Sequence, residues 1–295
     1  MQPQEFYQHS FESLLDKYKD VCTWFTELGF NYAVTRYGIY LKNIQKLNEW
    51  SKGNDIFFNI NKEELVNFMG TLLNSHIEAN EIIRVYGDIQ ALNSQEYIEQ
   101  IKKVISGQEL RATAEKDQAR DFLFELSTAS RFLRAGYSVS LSGVCDIVVT
   151  LPDGTLLFVE CKRVKSIKKL AKNIKTAAQQ LDKRIKDSRS YKNIGLIAVN
   201  ITDLLPKTYI HPSDNMQMAI NYHRGIAGRF ALENIESFAS GQKKNIIGVL
   251  CESSISKLLI SGGVAYSRHT GNIPYEKSVF FEQLAPKLSN QDIIR

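Results

Sequence analysis

The feature that most restricts the fold is a pair of short apolar segments, residues 145–151 and 156–162, joined by Pro152-Asp153-Gly154. Both are rich in β-branched and aromatic side chains and too short for stable helices, so they read as strands. Proline presets the first corner of a turn, and glycine takes the positive φ that closes a three-residue hairpin loop. That loop length sets the register. Asp146 falls opposite Glu160 on one face, with Cβ atoms about 5 Å apart. Side chains alternate along a strand, so Lys162 joins Glu160 on that face while Cys161 points away. Two carboxylates and an ammonium therefore meet at one end of the strand pair. Such an oxygen-rich set suits a hard divalent cation such as Mg²⁺.

A Glu-x-Lys tripeptide alone says little, because about one is expected by chance in a chain of this length. Here it is the sole Glu-x-Lys or Asp-x-Lys, and it ends the otherwise apolar run Leu156-Leu157-Phe158-Val159. Unpaired charge in such a strand is costly. A third acid precedes the pair. Residues 121–135 read as a helix with Phe122, Leu126, Ala129 and Leu133 on its apolar stripe, and Glu125 lies beside that stripe.

The order is a helix with Glu125, a strand, a strand opening on Asp146, a strand ending Glu160-Cys161-Lys162, then a helix and a strand. It resembles the core of the PD-(D/E)XK nucleases, the restriction-endonuclease-like fold. The resemblance spans residues 121–200, about a quarter of the chain. It departs from the motif in having Cys145 where the name has proline, a position that varies in the family. It implies an α/β domain with a mixed sheet, the hairpin 145–162 at its centre and helices on both faces. It also implies metal-dependent endonuclease hydrolysis of phosphodiester bonds, with DNA favoured as the substrate although the core itself does not distinguish RNA from DNA. Asp146 and Glu160, with the backbone carbonyl of Cys161, would hold Mg²⁺, with Mn²⁺ as a substitute. Glu125 would complete the shell directly or through water. Lys162 would orient the attacking water and stabilise charge on the phosphate, its own pKa lowered by the metal and a desolvated pocket. Some branches carry a Gln on the following helix, where Gln179 and Gln180 stand; both also read as solvated helix positions. Restriction or antiviral defence is one setting for such a nuclease, and repair another. Two rival functions are a metal-dependent ribonuclease and a catalytically idle nucleic-acid-binding subunit of a larger assembly.

Charge adds an independent argument. The net charge is only +5, yet residues 162–192 hold twelve Lys or Arg against two Asp. Such asymmetry points to a polyanionic partner. Residues 164–188 read as a helix with Ile167, Leu170, Ile174, Ala177, Ala178, Leu181 and Ile185 at apolar spacing. Lys165, Lys168, Lys169, Lys172 and Lys175 fall largely off that stripe and, with Arg163, form a candidate phosphate-tracking face. Contacts of that kind neutralise backbone charge without reading sequence.

At 295 residues the chain allows one large or two modest domains, and 43% hydrophobic content supports a core. We expect an all-helical domain over 1–110, serving dimerisation or substrate selection, and the nuclease-like domain over 111–295. Apolar spacing predicts helices over 11–28, from an Asn61 cap with Glu64 toward residue 83, and after a Ser94 cap. Tyr32, Tyr37 and Tyr40 read as core aromatics of this helical part more readily than as a base-stacking surface. Residues 111–118 read as a linker or as the first turns of the Glu125 helix. Beyond 192, strands are predicted over 194–201, 245–251 and 263–268, with a helix over 216–238 that carries His223, Arg224 and Arg229 as surface cations. No run reaches the ~18 apolar residues of a membrane span, and the first residues lack a signal-peptide pattern. Four scattered cysteines and five unclustered histidines argue against a disulfide scaffold or a zinc ribbon. The expectation is a cytoplasmic protein with no membrane partner, nucleic acid as its ligand and a homodimer as its assembly.

Overall fold

The computed structural model describes residues 10–53, 62–92, 94–107, 117–141, 143, 145–188, 190, 192–213, 215–260, 263–275 and 279–289. The hairpin forms as its loop demands. Gly154 adopts φ +80, and the Leu151 and Thr155 backbones close the loop with a 2.9 Å hydrogen bond. The Asp153 carboxylate accepts from the Thr155 N–H at 3.0 Å. Strand β2 (Ile147–Thr150) pairs antiparallel with β3 (Leu156–Arg163), and Ile147 faces Val159. Asp146 lies one residue before β2, so the register places it toward Glu160.

The chain is α/β, with nine α-helices and a curled mixed sheet of seven strands among the described residues. Beside β2 runs the short β1 (Ser138–Ser140), antiparallel. β3 continues into parallel β4 (Ile194–Asn200), which pairs parallel with β6 (Ile246–Leu259). β6 also takes the two-residue β5 (Ile210–His211) on the edge it shares with β4, and antiparallel β7 (Val264–Pro274) on the other. Gly248 lies in this last ladder at φ +155, where a Cβ would come within 2.6 Å of the Ile273 carbonyl oxygen. β3 thus sits near the middle of the sheet, with β2 outside it.

Alternation of side chains along the strands gives the sheet two apolar faces. Ile147, Val149, Leu157, Val159, Leu196 and Leu250 join one core, to which α1 (Phe11–Glu27), α2 (Arg36–Ser51), α3 (Lys62–Ile89), α4 (Gln95–Ile105), α5 (Gln118–Arg134) and α9 (Val279–Ser289) contribute. Phe158, Ile197, Val199 and Val249 join the other, under α6 (Leu170–Asp187), α7 (Met216–Glu233) and α8 (Ile235–Ala239). Tyr37 and Tyr40 are fully buried in the first core, with Tyr32 packed against it.

Several predicted boundaries move, each for a local reason. Helix α5 starts at Gln118 because Asp117 caps it, its carboxylate accepting the Arg120 N–H at 3.3 Å. The rest of the expected linker, 111–116, and the expected Asn61 cap lie outside the described residues. Ser94 is the N-cap residue of α4, though its hydroxyl makes no cap hydrogen bond. The helix expected over 164–188 begins only at Leu170, after a 3₁₀ turn at Ile167–Lys169. Val164 still donates its N–H to the Asn200 carbonyl at 3.0 Å, which keeps the chain extended past β3. The helix expected over 216–238 breaks at Asn234, which ends α7 and donates its side-chain N–H to the Phe230 carbonyl at 2.8 Å. β6 and β7 both run well past their predicted ends. Their serines escape the strand pattern because buried histidines on distant helices satisfy the hydroxyls: His76 bonds Ser256, and His223 bonds Ser253 and Ser267, all at 2.9 Å.

Candidate active site

Three of the four acidic and basic residues singled out in the sequence open into one cleft. Its volume is about 360 Å³, and its walls include Glu125 from α5, Asp146 before β2 and Lys162 near the end of β3. Glu125 reaches it because it stands at the edge of the apolar stripe whose Leu126 and Ala129 are buried in the first core. Asp146 is held in place by the neighbouring strand, since its Oδ2 accepts the Cys161 N–H at 2.7 Å. The Cys161 side chain is buried, and burial raises its thiol pKa well above the usual range.

Glu160 lies behind this front. It is 2% exposed and accepts a hydrogen bond from the Lys162 ammonium at 3.2 Å. Burial, then the Asp146 charge, raises the Glu160 pKa. The same two causes, in the same order, push Glu125 up to about 8. Burial lowers the Lys162 pKa, but Glu160 and Asp146 outweigh burial and raise it, so the two carboxylates hold the lysine as a cation. The lowering expected beside Mg²⁺ concerns the metal-bound site, where the ion would offset those same carboxylates.

Among the described residues, no three carboxylate, imidazole or thiol groups form a cluster able to hold a metal ion by themselves. Mg²⁺ does not require one, because it keeps several waters and is commonly bound through one or two carboxylates plus substrate phosphate. Asp146 supplies such a carboxylate in the cleft, and Glu125 a second. The donor chemistry fits the ion.

The basic residues separate into two groups. Arg163 does not face outward. Its side chain is 1% exposed, and its guanidinium meets Asp203 at 3.1 Å, Asp121 at 3.3 Å and Asp117 at 3.7 Å. The phosphate-tracking role expected of it is corrected accordingly: three aspartates from two other segments enclose it. Lys165 is half-buried, with a pKa lowered by burial and by Arg163. Lys168, Lys169, Lys172 and Lys175 are exposed on the 3₁₀ turn and the first turns of α6. Gln179 and Gln180 are exposed too, and neither lines the cleft. What α6 gives the cleft is Asn173. A signal for it existed, since Asn173 falls at apolar spacing between Leu170 and Ala177.

Two buried charge networks have no counterpart in the sequence reading. Arg120 donates from Nε to Glu78 at 2.6 Å and from Nη2 to the Tyr40 hydroxyl at 2.7 Å, and it pairs with Asp117. Glu252 accepts from Arg131 Nε at 2.9 Å and from Arg268. Both networks fix α5, one at each end. The expected surface cation His223 is also corrected: it is fully buried, and burial drives its pKa down to about 3.

No helix among the described residues is long and apolar enough to cross a membrane. Comparison with family models, with curated proteins and with solved structures gives no match for this chain.

Proposed function

We propose that the chain is a metal-dependent phosphodiesterase of restriction-endonuclease-like architecture that cuts DNA. The observation that carries this is the convergence of Glu125, Asp146 and Lys162 on one cleft, next to the exposed lysines that open α6. Asp146 and Glu125, with Glu160 behind them, are the residues that would hold Mg²⁺. When bound, the ion supplies Lewis-acid stabilisation of the phosphate and a more acidic water. The chain's own residues do the rest. Cys161 orients Asp146 through its N–H. Glu160 holds the Lys162 ammonium, which donates to a non-bridging phosphate oxygen and offsets charge that builds there. Asn173 offers an amide to the same phosphate or its sugar. Lys168, Lys169, Lys172 and Lys175 neutralise neighbouring phosphates.

The test is cleavage of supercoiled plasmid, single-stranded DNA and structured RNA with Mg²⁺, Mn²⁺ or EDTA, with Lys162→Ala beside the parent. Metal-dependent cutting of DNA that the variant lacks supports the proposal. Equal cutting by both proteins, or cutting confined to RNA, overturns it.

A nucleic-acid-binding subunit without turnover is the second function, and it rests on the exposed Lys168, Lys169, Lys172 and Lys175, which can neutralise phosphates without the cleft. Under that function no substrate is cut with any metal, and Asp146→Asn binds duplex DNA as tightly as the parent.

A further inference from the structure

A second cavity, of about 340 Å³, lies between α3, residues 202–209 and β6, and adjoins the cleft through the Asp203–Arg163 pair. That volume is within the range of small-molecule sites. Its walls are apolar over much of their extent, with Leu73 and Ile77 from α3 and Leu205 opposite. Charge in the wall is one-sided. Asp203 is the sole acid among the described lining residues, and Arg163 already pairs with it at 3.1 Å. Two lysines remain. Lys207 is exposed and forms no ion pair among the described residues.

Lys257 is the more telling. It is 2% exposed, and its ammonium donates to the Thr208 carbonyl at 3.0 Å and to the Thr208 hydroxyl. Among the described residues no carboxylate pairs with it, though the ammonium also lies over the Tyr222 ring, 4.6 Å from its centroid. Buried ammonium groups are ordinarily paired with an opposite charge, and a ring face offsets only part of the cost of desolvation. Asn74 adds a half-buried side-chain amide in the wall that holds no partner among the described residues. A buried cation without a counter-charge, an amide without a partner and apolar walls describe complementary ligand chemistry.

We propose that this cavity binds a compact organic anion, an aromatic or apolar body bearing one phosphate or carboxylate group. The acidic group lies toward Lys257 and Lys207, the apolar body lies against Leu73, Ile77 and Leu205, and Asn74 hydrogen-bonds a polar edge. This inference does not depend on what the cleft does.

The experiment is calorimetric titration of the full chain with adenosine 5′-monophosphate, phenyl phosphate and phenylacetate, and with neutral adenosine and phenylacetamide as controls. At least one anion is expected to bind ten-fold or more tightly than its neutral counterpart. Lys257→Met should weaken that binding ten-fold, and Asn74→Trp, which fills the cavity from a half-exposed helix position, should abolish it while the cooperative melting transition persists. Should Lys257→Met fail to fold, Lys207→Gln takes its place, with a three-fold or greater loss expected. Phosphates binding without phenylacetate, or the reverse, identifies the acidic group and supports the site. Three outcomes overturn it: no anion binding below millimolar concentration, neutral controls binding equally well, or Asn74→Trp binding as the parent does.

Discussion

Replacing Glu252 with Gln should destabilise the protein by several kcal/mol and change its response to acid. Glu252 is buried and accepts from Arg131 on α5 and Arg268 on β7, and Arg84 adds a third guanidinium to its surroundings. Burial opposes ionisation of its carboxyl, yet Arg268 and Arg131 together hold its pKa down at about 2, against an ordinary 4.5. Such a depression corresponds to about 3 kcal/mol of stability at neutral pH. An independent route agrees, since removing one partner of a buried ion pair typically costs roughly 3–5 kcal/mol. The sign follows from the direction. A carboxyl with a depressed folded-state pKa stabilises fully above its unfolded value of 4.5 and loses that contribution as pH falls toward 2. The gap between parent and Glu252→Gln, measured by urea unfolding, should therefore be about 3 kcal/mol at pH 7 and narrow by roughly 1 kcal/mol at pH 3.5. Because Arg131 lies on the helix that carries Glu125, cleft activity should fall with it. A gap below about 1 kcal/mol at pH 7, or one that stays constant with pH, would mean that Arg131 and Arg268 do not stabilise the fold through the Glu252 carboxylate.

Other parts of the molecule are open to test in the same way. Lys162→Ala should lower the cleavage rate by roughly 10²–10³ while fluorescence anisotropy shows duplex affinity changed only a few-fold. Replacing Lys168, Lys169, Lys172 and Lys175 together by Gln should flatten the log–log salt dependence of DNA binding by about 0.9 for each phosphate that is no longer neutralised; an unchanged slope would remove the α6 face from the binding surface. His223 stays neutral in the fold because burial lowers its pKa from 6.5 to about 3, so only the unfolded chain gains its proton as pH falls through 6.5. Stability should drop by about 2 kcal/mol between pH 7 and pH 5 on this account, and His223→Gln, followed by urea unfolding at both values, should lack that part of the slope.

Much of the site is legible in the sequence because local rules govern it. A three-residue loop closed by Gly154 dictates the pairing of β2 with β3, and that pairing alone brings Asp146 toward Glu160 and puts Lys162 one pleat further on. Helical spacing likewise identifies α5 and the apolar stripe beside which Glu125 sits. Chain-local signals fail where the deciding partner is distant in sequence. Arg163 has the same local appearance as a phosphate-binding arginine, and only folding places Asp117, Asp121 and Asp203 around it. The serines of β6 and β7 read as polar interruptions until His76 on α3 and His223 on α7 arrive to bond them. By itself, then, the sequence determined the hairpin register, the amphipathic helices and the acidic residues that meet at the strand ends. Tertiary structure decided which charges are enclosed, because burial and counter-charge are properties of packed neighbours and not of spacing along the chain.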